Sequence, residues 1–367
     1  MAVYLYGIMA GDRSLDLGEI GQPDGWAHVW TLPVDGLSAV VSDYDGPAFA
    51  DLPKAELLRC LAIHQRVIER AMEHQPTLPA KFGTVLGSTD ELVTILDRWH
   101  HRLAATLHRM GGGVEIEVAA TWDLPQTFGE VAREPTIAAL AASVAGRPAD
   151  ETVATRVQVG KLVKEALDRR RERYRQQVQC DLVPICRDAQ PNPLPSDELV
   201  LNVAFLVERG RLDEFYARVH RLDEAFGSRL NFRCVGPLPP YSFATVEVSR
   251  PRPELVEAAR RLLGLGDNAS EVEVNTSYRR LAVRCHPDRN PGDPTATQRF
   301  AILTAAHAQV VAYLHGQHTD EAPATESRSY DLSPSAVDTA LLMTIRRSSQ
   351  QPISPSEVAY ERDAAVV

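Results

Sequence analysis

Cysteine is scarce and unpatterned in this chain of 367 residues, with five in all at irregular spacing. An odd, scattered set excludes a disulfide framework and points to reduced thiols in a cytoplasmic setting. No metal-ligand set has workable spacing either, since Cys180 and Cys186 stand six apart and His315 and His318 lie beside the polar C-terminal stretch. Positive charge is in deficit: 39 Lys+Arg against 49 Asp+Glu leave a formal net charge of −10. That balance argues against non-specific nucleic-acid binding. No apolar run is long enough to cross a bilayer, and the start, MAVYLYGIMAG, lacks the basic leader of a signal peptide. A soluble, cytoplasmic protein without a membrane partner is expected. Catalytic signatures are also missing. Gly111 to Gly113 follow a helical stretch rather than a strand and lack the lysine of a phosphate loop. With no GxSxG elbow and no Cys/His nucleophile pair, neither an enzyme nor a cofactor is expected.

What is present is ordinary globular material, 44% hydrophobic and 24% charged, long enough for two or three domains with their own cores. Val3 to Ile8 reads as a buried strand. Ala27 to Val34 and Leu37 to Asp43 read as two more, joined by the hairpin signal Asp35-Gly36. Asp51 and Pro53 open a helix running to about His74, with Leu57, Leu61, His64 and Ile68 inward. His64 on that apolar face reads as a satisfied core histidine rather than a ligand. Thr77 to Leu86 returns to strand. Ser88 and Glu91 form a capping box for a helix reaching Met110, with Leu92, Leu96, Trp99, Leu103 and Leu107 inward. Val114 to Trp122 alternates as a last strand. Residues 1–123 therefore predict a ferredoxin-like α+β sandwich.

Proline and glycine punctuate residues 124–154, a predicted linker with one short helix. Arg156 to about Val183 reads as a long charged helix whose RRRERYR run is a solvated face or a contact for an acidic partner. Leu199 to Val207, Leu230 to Val235 and Phe243 to Val248 read as strands, and Leu212 to Phe226 as a helix. Residues 155–249 thus predict a second α+β domain. Four separated stretches now stand in order: YLYGI at Tyr4, His64 through LPAKFGTVL, LNVAFLVERG at Leu201 and GPLPPYSFA at Gly236. Together they resemble the gas vesicle protein F/L family. The resemblance implies two ferredoxin-related domains and an accessory role: binding the hydrophobic shell protein of gas vesicles, alongside other accessory proteins, in or on the growing particle.

The sharpest local pattern lies further on. Ser270 and Glu273 form a capping box, so a helix starts near Glu271. Val274, Tyr278, Leu281, Ala282 and Cys285 share one face, with Arg279, Arg280 and Arg284 on the rest and Arg289 just beyond the turn. Pro287 lacks an N–H and pushes His286 out of helical conformation, so His286-Pro287-Asp288 ends the helix. Pro291, Gly292 and Pro294 hold a loop before a second helix from Thr295, whose face is Phe300, Leu303, His307, Val310 and Leu314. Arginines on an acidic chain form a patch that steers a negatively charged partner. Asp288 offers a carboxylate for a bidentate arginine contact.

This stretch, YRRLAVRCHPDRNPGD, closely resembles the J domain of DnaJ-type co-chaperones. The resemblance implies that His286, Pro287 and Asp288, with the basic helix before them, dock on a DnaK-type chaperone ATPase and stimulate its hydrolysis of ATP. The helix that should precede the pair, Pro253 to Leu265, departs from the pattern: Ala259 and Arg260 stand near the family's aromatic places. His307 stands where a tyrosine is usual. Residues 253–315 are thus expected to form a small all-α J domain, and residues 316–367 a disordered tail. Within that tail, Ala336 to Arg347 carries the pattern of a short amphipathic helix. No glycine/phenylalanine-rich linker or fourfold CxxC module follows, so client binding must reside in the α+β domains. The combined expectation is a gas vesicle assembly factor that recruits a chaperone. The alternatives are a minor structural component of the vesicle whose J-like hairpin is degenerate, and a general J-protein with unrelated clients.

Overall fold

A computed structural model describes residues 1–317 and 328–347. They fall into two compact units, residues 1–109 with 244–317 and 328–346, and residues 110–243 with Arg347.

The first unit begins with strand β1 (Val3–Ala10), followed by β2 (Asp16–Gly21), β3 (Ala27–Val34) and β4 (Leu37–Asp43). Helix α1 (Lys54–Met72) leads to β5 (Thr77–Pro79) and β6 (Val85–Leu86). The sheet runs β2-β3-β4-β1-β5, with β6 also on β1. Seven of the eight residues of β1 are buried, as befits a strand covered on both faces. Gly7 is required there: a Cβ would meet the Leu78 carbonyl oxygen at 2.6 Å, closing the approach of β5. The Asp35-Gly36 hairpin forms with both residues at positive φ, as that dipeptide predicts.

Several sequence expectations need correction. The predicted helix to Met110 is two helices, α2 (Thr89–Arg98) and α3 (His100–Met110), broken at Trp99, although its inward residues are all buried. The strand from Thr77 to Leu86 is interrupted by a turn between β5 and β6. On α1, His64 and Ile68 are buried as expected, but Leu61 is 39% exposed.

The second unit holds strand β7 (Gly113–Thr121), helices α4 (Leu124–Ala132), α5 (Pro135–Val144) and α6 (Ala149–Leu182), and strands β8 (Asp188–Pro191) and β9 (Leu199–Glu208). Helix α7 (Leu212–Phe226) and strand β10 (Asn231–Leu238) complete it, and the sheet runs β10-β7-β9-β8. Here β7 is central, so residues 114–122 are not the last strand of the first domain. Its alternation suits any half-covered sheet, and the choice of partner is non-local. The expected linker is mostly helix: Asp123 caps α4 by accepting from the Gln126 N–H at 2.8 Å, and α6 starts at Ala149. The arginine run on α6 is largely paired within the unit. Arg170 binds Glu130 at 2.6 Å, Arg175 binds Glu172 at 2.5 Å, and Arg171 lies 5.1 Å over the Trp122 ring.

The chain then returns to the first unit with β11 (Thr245–Ser249), so this strand is not part of the second domain as expected. Helix α8 (Pro253–Leu263), strand β12 (Asn268–Ser270), helix α9 (Glu271–Cys285) and helix α10 (Ala296–Gly316) follow. The expected tail is structured between Ser329 and Arg346: β13 (Ser329–Asp331), α11 (Pro334–Thr339) and β14 (Leu342–Arg346). The predicted helix from Ala336 to Arg347 is therefore a six-residue helix and a strand. Residues 318–327 and 348–367, the rest of that expectation, lie outside the described residues.

Candidate functional site

The capping box at the start of α9 is complete: Ser270 Oγ accepts from the Glu273 N–H at 3.3 Å while the Ser270 N–H donates to Glu273 Oε2 at 2.7 Å. The buried side of α9 faces a core built on α8 and α10, where Val256, Leu263, Val274, Leu303, Val310 and Leu314 meet. At its other end His286 adopts extended backbone, as a residue before proline must, and Pro287–Arg289 form one 3-10 turn.

This corner is held by a residue that the sequence reading did not single out. Asn290 donates its side-chain amide to the carbonyls of Arg284 at 2.9 Å and His286 at 3.0 Å, and the His286 carbonyl also accepts from the Arg289 and Asn290 N–H groups, both at 3.1 Å. His286 Nδ1 accepts from the Asp288 N–H at 3.2 Å, and its ring stands edge-on to Phe300 at 5.1 Å. Asp288 is left pointing outward, its side chain 86% exposed. The hint in the sequence was an asparagine placed to reach back over a proline turn.

Arg279, Arg280, Arg284 and Arg289 are all exposed. Neighbouring basic residues are neutralised: Arg260 pairs with Glu257 at 2.7 Å and Arg299 with Asp293. Arg279, Arg284 and Arg289 have no ion-pair partner among the described residues. Arg280 reaches Ser277 Oγ at 3.3 Å. Val272 and Val283, 50% and 51% exposed, lie eleven residues apart on α9 with Arg279 between them on the same helical stripe. The outer face of α9 is thus apolar as well as basic, which composition alone does not reveal.

His307 replaces an expected tyrosine without loss of packing. It stacks on Tyr278 with centroids 4.2 Å apart, and its Nε2 lies 2.8 Å from Asn275 Oδ1. Burial lowers its pKa.

The remaining sequence candidates are architectural. Tyr4 donates its hydroxyl to His64 Nδ1 at 2.9 Å, and His64 Nε2–H donates to the Ala80 carbonyl at 3.1 Å. Gly83 N–H donates to Tyr4 Oη at 3.0 Å, so this chain of bonds fixes the Ala80–Thr84 turn from beneath. Burial drives the His64 pKa down to about 4. In the second unit the GPLPPYSFA stretch is held by Glu115, which accepts from Ser242 N–H at 2.8 Å and Ser242 Oγ–H at 2.7 Å. Glu115 is 2% exposed, and burial pushes its pKa up to about 7. A cleft of about 500 Å3 in the first unit is lined by Arg98 of α2, Tyr313 of α10 and Tyr330 of β13, among others. Among the described residues no helix is long and apolar enough to cross a membrane.

Comparison with known proteins falls on the same two blocks. The family model for gas vesicle synthesis protein GvpL/GvpF matches residues 2–245, and the DnaJ domain model matches residues 261–311. The chain is 32% identical over 249 residues to gas vesicle protein F of Streptomyces sp. (strain CB03234), covering 66% of this chain and 99% of that one. Over 52 residues it is 48% identical to DnaJ homolog subfamily C member 5B of Homo sapiens, 14% of this chain and 26% of that protein. In fold it is similar to the crystal structure of GvpF from Anabaena sp. PCC7120. The TM-score there is 0.59 at 21% identity, over 66% of this chain and 97% of that one.

Proposed function

Because the chain belongs to the gas vesicle synthesis protein GvpL/GvpF family and carries a DnaJ domain, we propose that it is a gas vesicle assembly factor. In this reading its α+β domains hold the hydrophobic shell protein, and its J domain brings a DnaK-type chaperone ATPase to that client. The physical need is plain: a small protein with a large apolar surface aggregates unless it is shielded until it joins the shell. Carrying client site and chaperone recruiter on one chain raises their effective concentration.

The observation that carries the reading is the corner itself. Asp288 stands open to solvent with His286 and Pro287 half-buried behind it, braced by Asn290, beside Arg279, Arg284 and Arg289, which have no ion-pair partner among the described residues. A helical hairpin retained only for packing has no use for an outward carboxylate beside cations that lack an ion-pair partner among the described residues. Approach to an acidic surface is favoured by the arginines, and Asp288 supplies a carboxylate for an arginine of the partner.

The test is single-turnover ATP hydrolysis by the cognate chaperone with and without this protein. Stimulation is expected, and it should be lost in Asp288→Asn. No stimulation, or stimulation indifferent to that change, removes chaperone recruitment from the scheme. Capture of the shell protein by the full chain tests the other half.

A further inference from the structure

Residues 329–346 do more than follow the J domain. Tyr330, Leu332, Val337, Ala340 and Leu342 are buried in the same core as Val256, Ala259 and Leu263 of α8 and Leu303, Val310 and Leu314 of α10. Strand β13 pairs with β12 immediately before α9, through Asn268↔Asp331 to Ser270↔Ser329. The Leu332 N–H donates to the Asp267 carbonyl at 2.6 Å, and Tyr313 Oη–H donates to the Asp331 carbonyl at 2.9 Å. Helix α11 lies on α8. The small residue at Ala259, where large aromatics were expected, thus sits in a core that receives a tyrosine, two leucines and a valine from downstream.

The same segment then leaves the helices. Strand β14 pairs with β11 along its full length, Thr245↔Arg346 to Ser249↔Leu342. In turn β11 meets the first sheet: Ala80 bridges Val246 in parallel, and the Lys81 N–H donates to the Val246 carbonyl at 2.7 Å. Glu247, its side chain only 14% exposed, takes Lys81 at 2.5 Å from the sheet domain and Arg346 at 2.6 Å from β14. Nearby, Arg250 pairs with Glu91 of α2 at 2.6 Å. One residue marks where the segment crosses α10: a Cβ on Gly316 would stand 2.7 Å from Leu342 Cβ, closer than real side chains approach.

We propose that residues 329–346 are a strap acting in cis, which completes the core of the J domain and clamps that domain to the first sheet through β11. The J domain of this chain is then not a free module on a tether. The His286-Pro287-Asp288 corner keeps a set position relative to the sheet domain, and Gly316 is the crossing point that lets the strap close. The clamp stands without any chaperone. Only its consequence, that a recruited ATPase arrives at one place on the assembly factor, rests on the function proposed above.

The experiment uses the full chain with a protease site placed within residues 318–327. After cleavage under native conditions, the fragment beginning before Arg328 should co-elute with the body of the protein on gel filtration. In the uncleaved chain, amides of residues 342–346 and of α8 should be protected from hydrogen exchange. Gly316→Val should raise exchange at both places at least tenfold and release the cleaved fragment, while the protection of β1 and β4 stays unchanged. Release of the fragment from the unsubstituted protein overturns the proposal. So does a Gly316→Val chain that keeps the fragment and its protection. Neither result depends on ATP hydrolysis, so failure of the clamp and failure of chaperone recruitment are read separately.

Discussion

The side-chain amide of Asn290 donates to the carbonyl oxygen of His286 at 3.0 Å, and the same group reaches the carbonyl of Arg284 at 2.9 Å. A single residue, two places beyond the His286-Pro287-Asp288 tripeptide, therefore helps to fix its backbone. An exposed turn without such a brace samples many conformations, and ordering it on binding costs affinity.

Asn290→Ala removes both bonds. Each contributes about 1 kcal/mol, so the corner should loosen while α9 and α10 persist. Stimulation of the chaperone ATPase is expected to fall several-fold with unchanged far-UV circular dichroism. Undiminished stimulation would mean that the brace is irrelevant to docking.

Arg279 and Arg284 are exposed and without an internal counter-charge among the described residues. Their double replacement by alanine should slow association with the chaperone by about tenfold at low salt. The deficit should shrink as ionic strength rises, because screening shortens the reach of such charges to about 8 Å at physiological salt. A salt-independent deficit would point to lost packing instead, and the comparison with Val283→Ser separates the two.

Two buried groups give the chain opposing pH dependences. His64 titrates near 4 when folded, against an ordinary 6.5, so the unfolded chain binds the proton more readily. Its stabilising effect is complete above pH 6.5 and is lost as pH falls towards 4. Glu115 has the reverse sign. Its folded pKa near 7 exceeds the ordinary 4.5, so its favourable term is complete below pH 4.5 and disappears as pH rises through 7. Each shift corresponds to roughly 3 kcal/mol at the limit of full burial. Urea unfolding between pH 4 and pH 8 should therefore show a flatter acid limb in His64→Gln and a flatter alkaline limb in Glu115→Gln. Unaltered profiles would contradict these assignments.

Much of the chemistry was legible in the primary structure because it is local. A capping box needs Ser270 and Glu273, the corner needs Pro287 beside His286, and the hairpin needs Asp35-Gly36. Each is decided within a few bonds. Family membership was legible too, from four separated stretches in fixed order. The interior role of His64 followed from its place on an apolar helical face, though the Tyr4 and Ala80 partners did not.

Tertiary structure decided the rest. That β7 belongs to the second sheet, that β11 returns to the first unit, and that residues 329–346 strap the J domain are matters of pairing between distant segments. A strand's alternation records that one face is covered without recording by what, and a short stretch such as 329–346, set in a Ser-, Pro- and charge-rich C-terminal region, reads as tail until its apolar residues find a core. Sequence alone therefore determined where α9 ends and which side chains stand at the His286-Pro287-Asp288 corner. Packing determined what that corner is fastened to, because the energy of fastening lies in contacts between residues far apart in the chain.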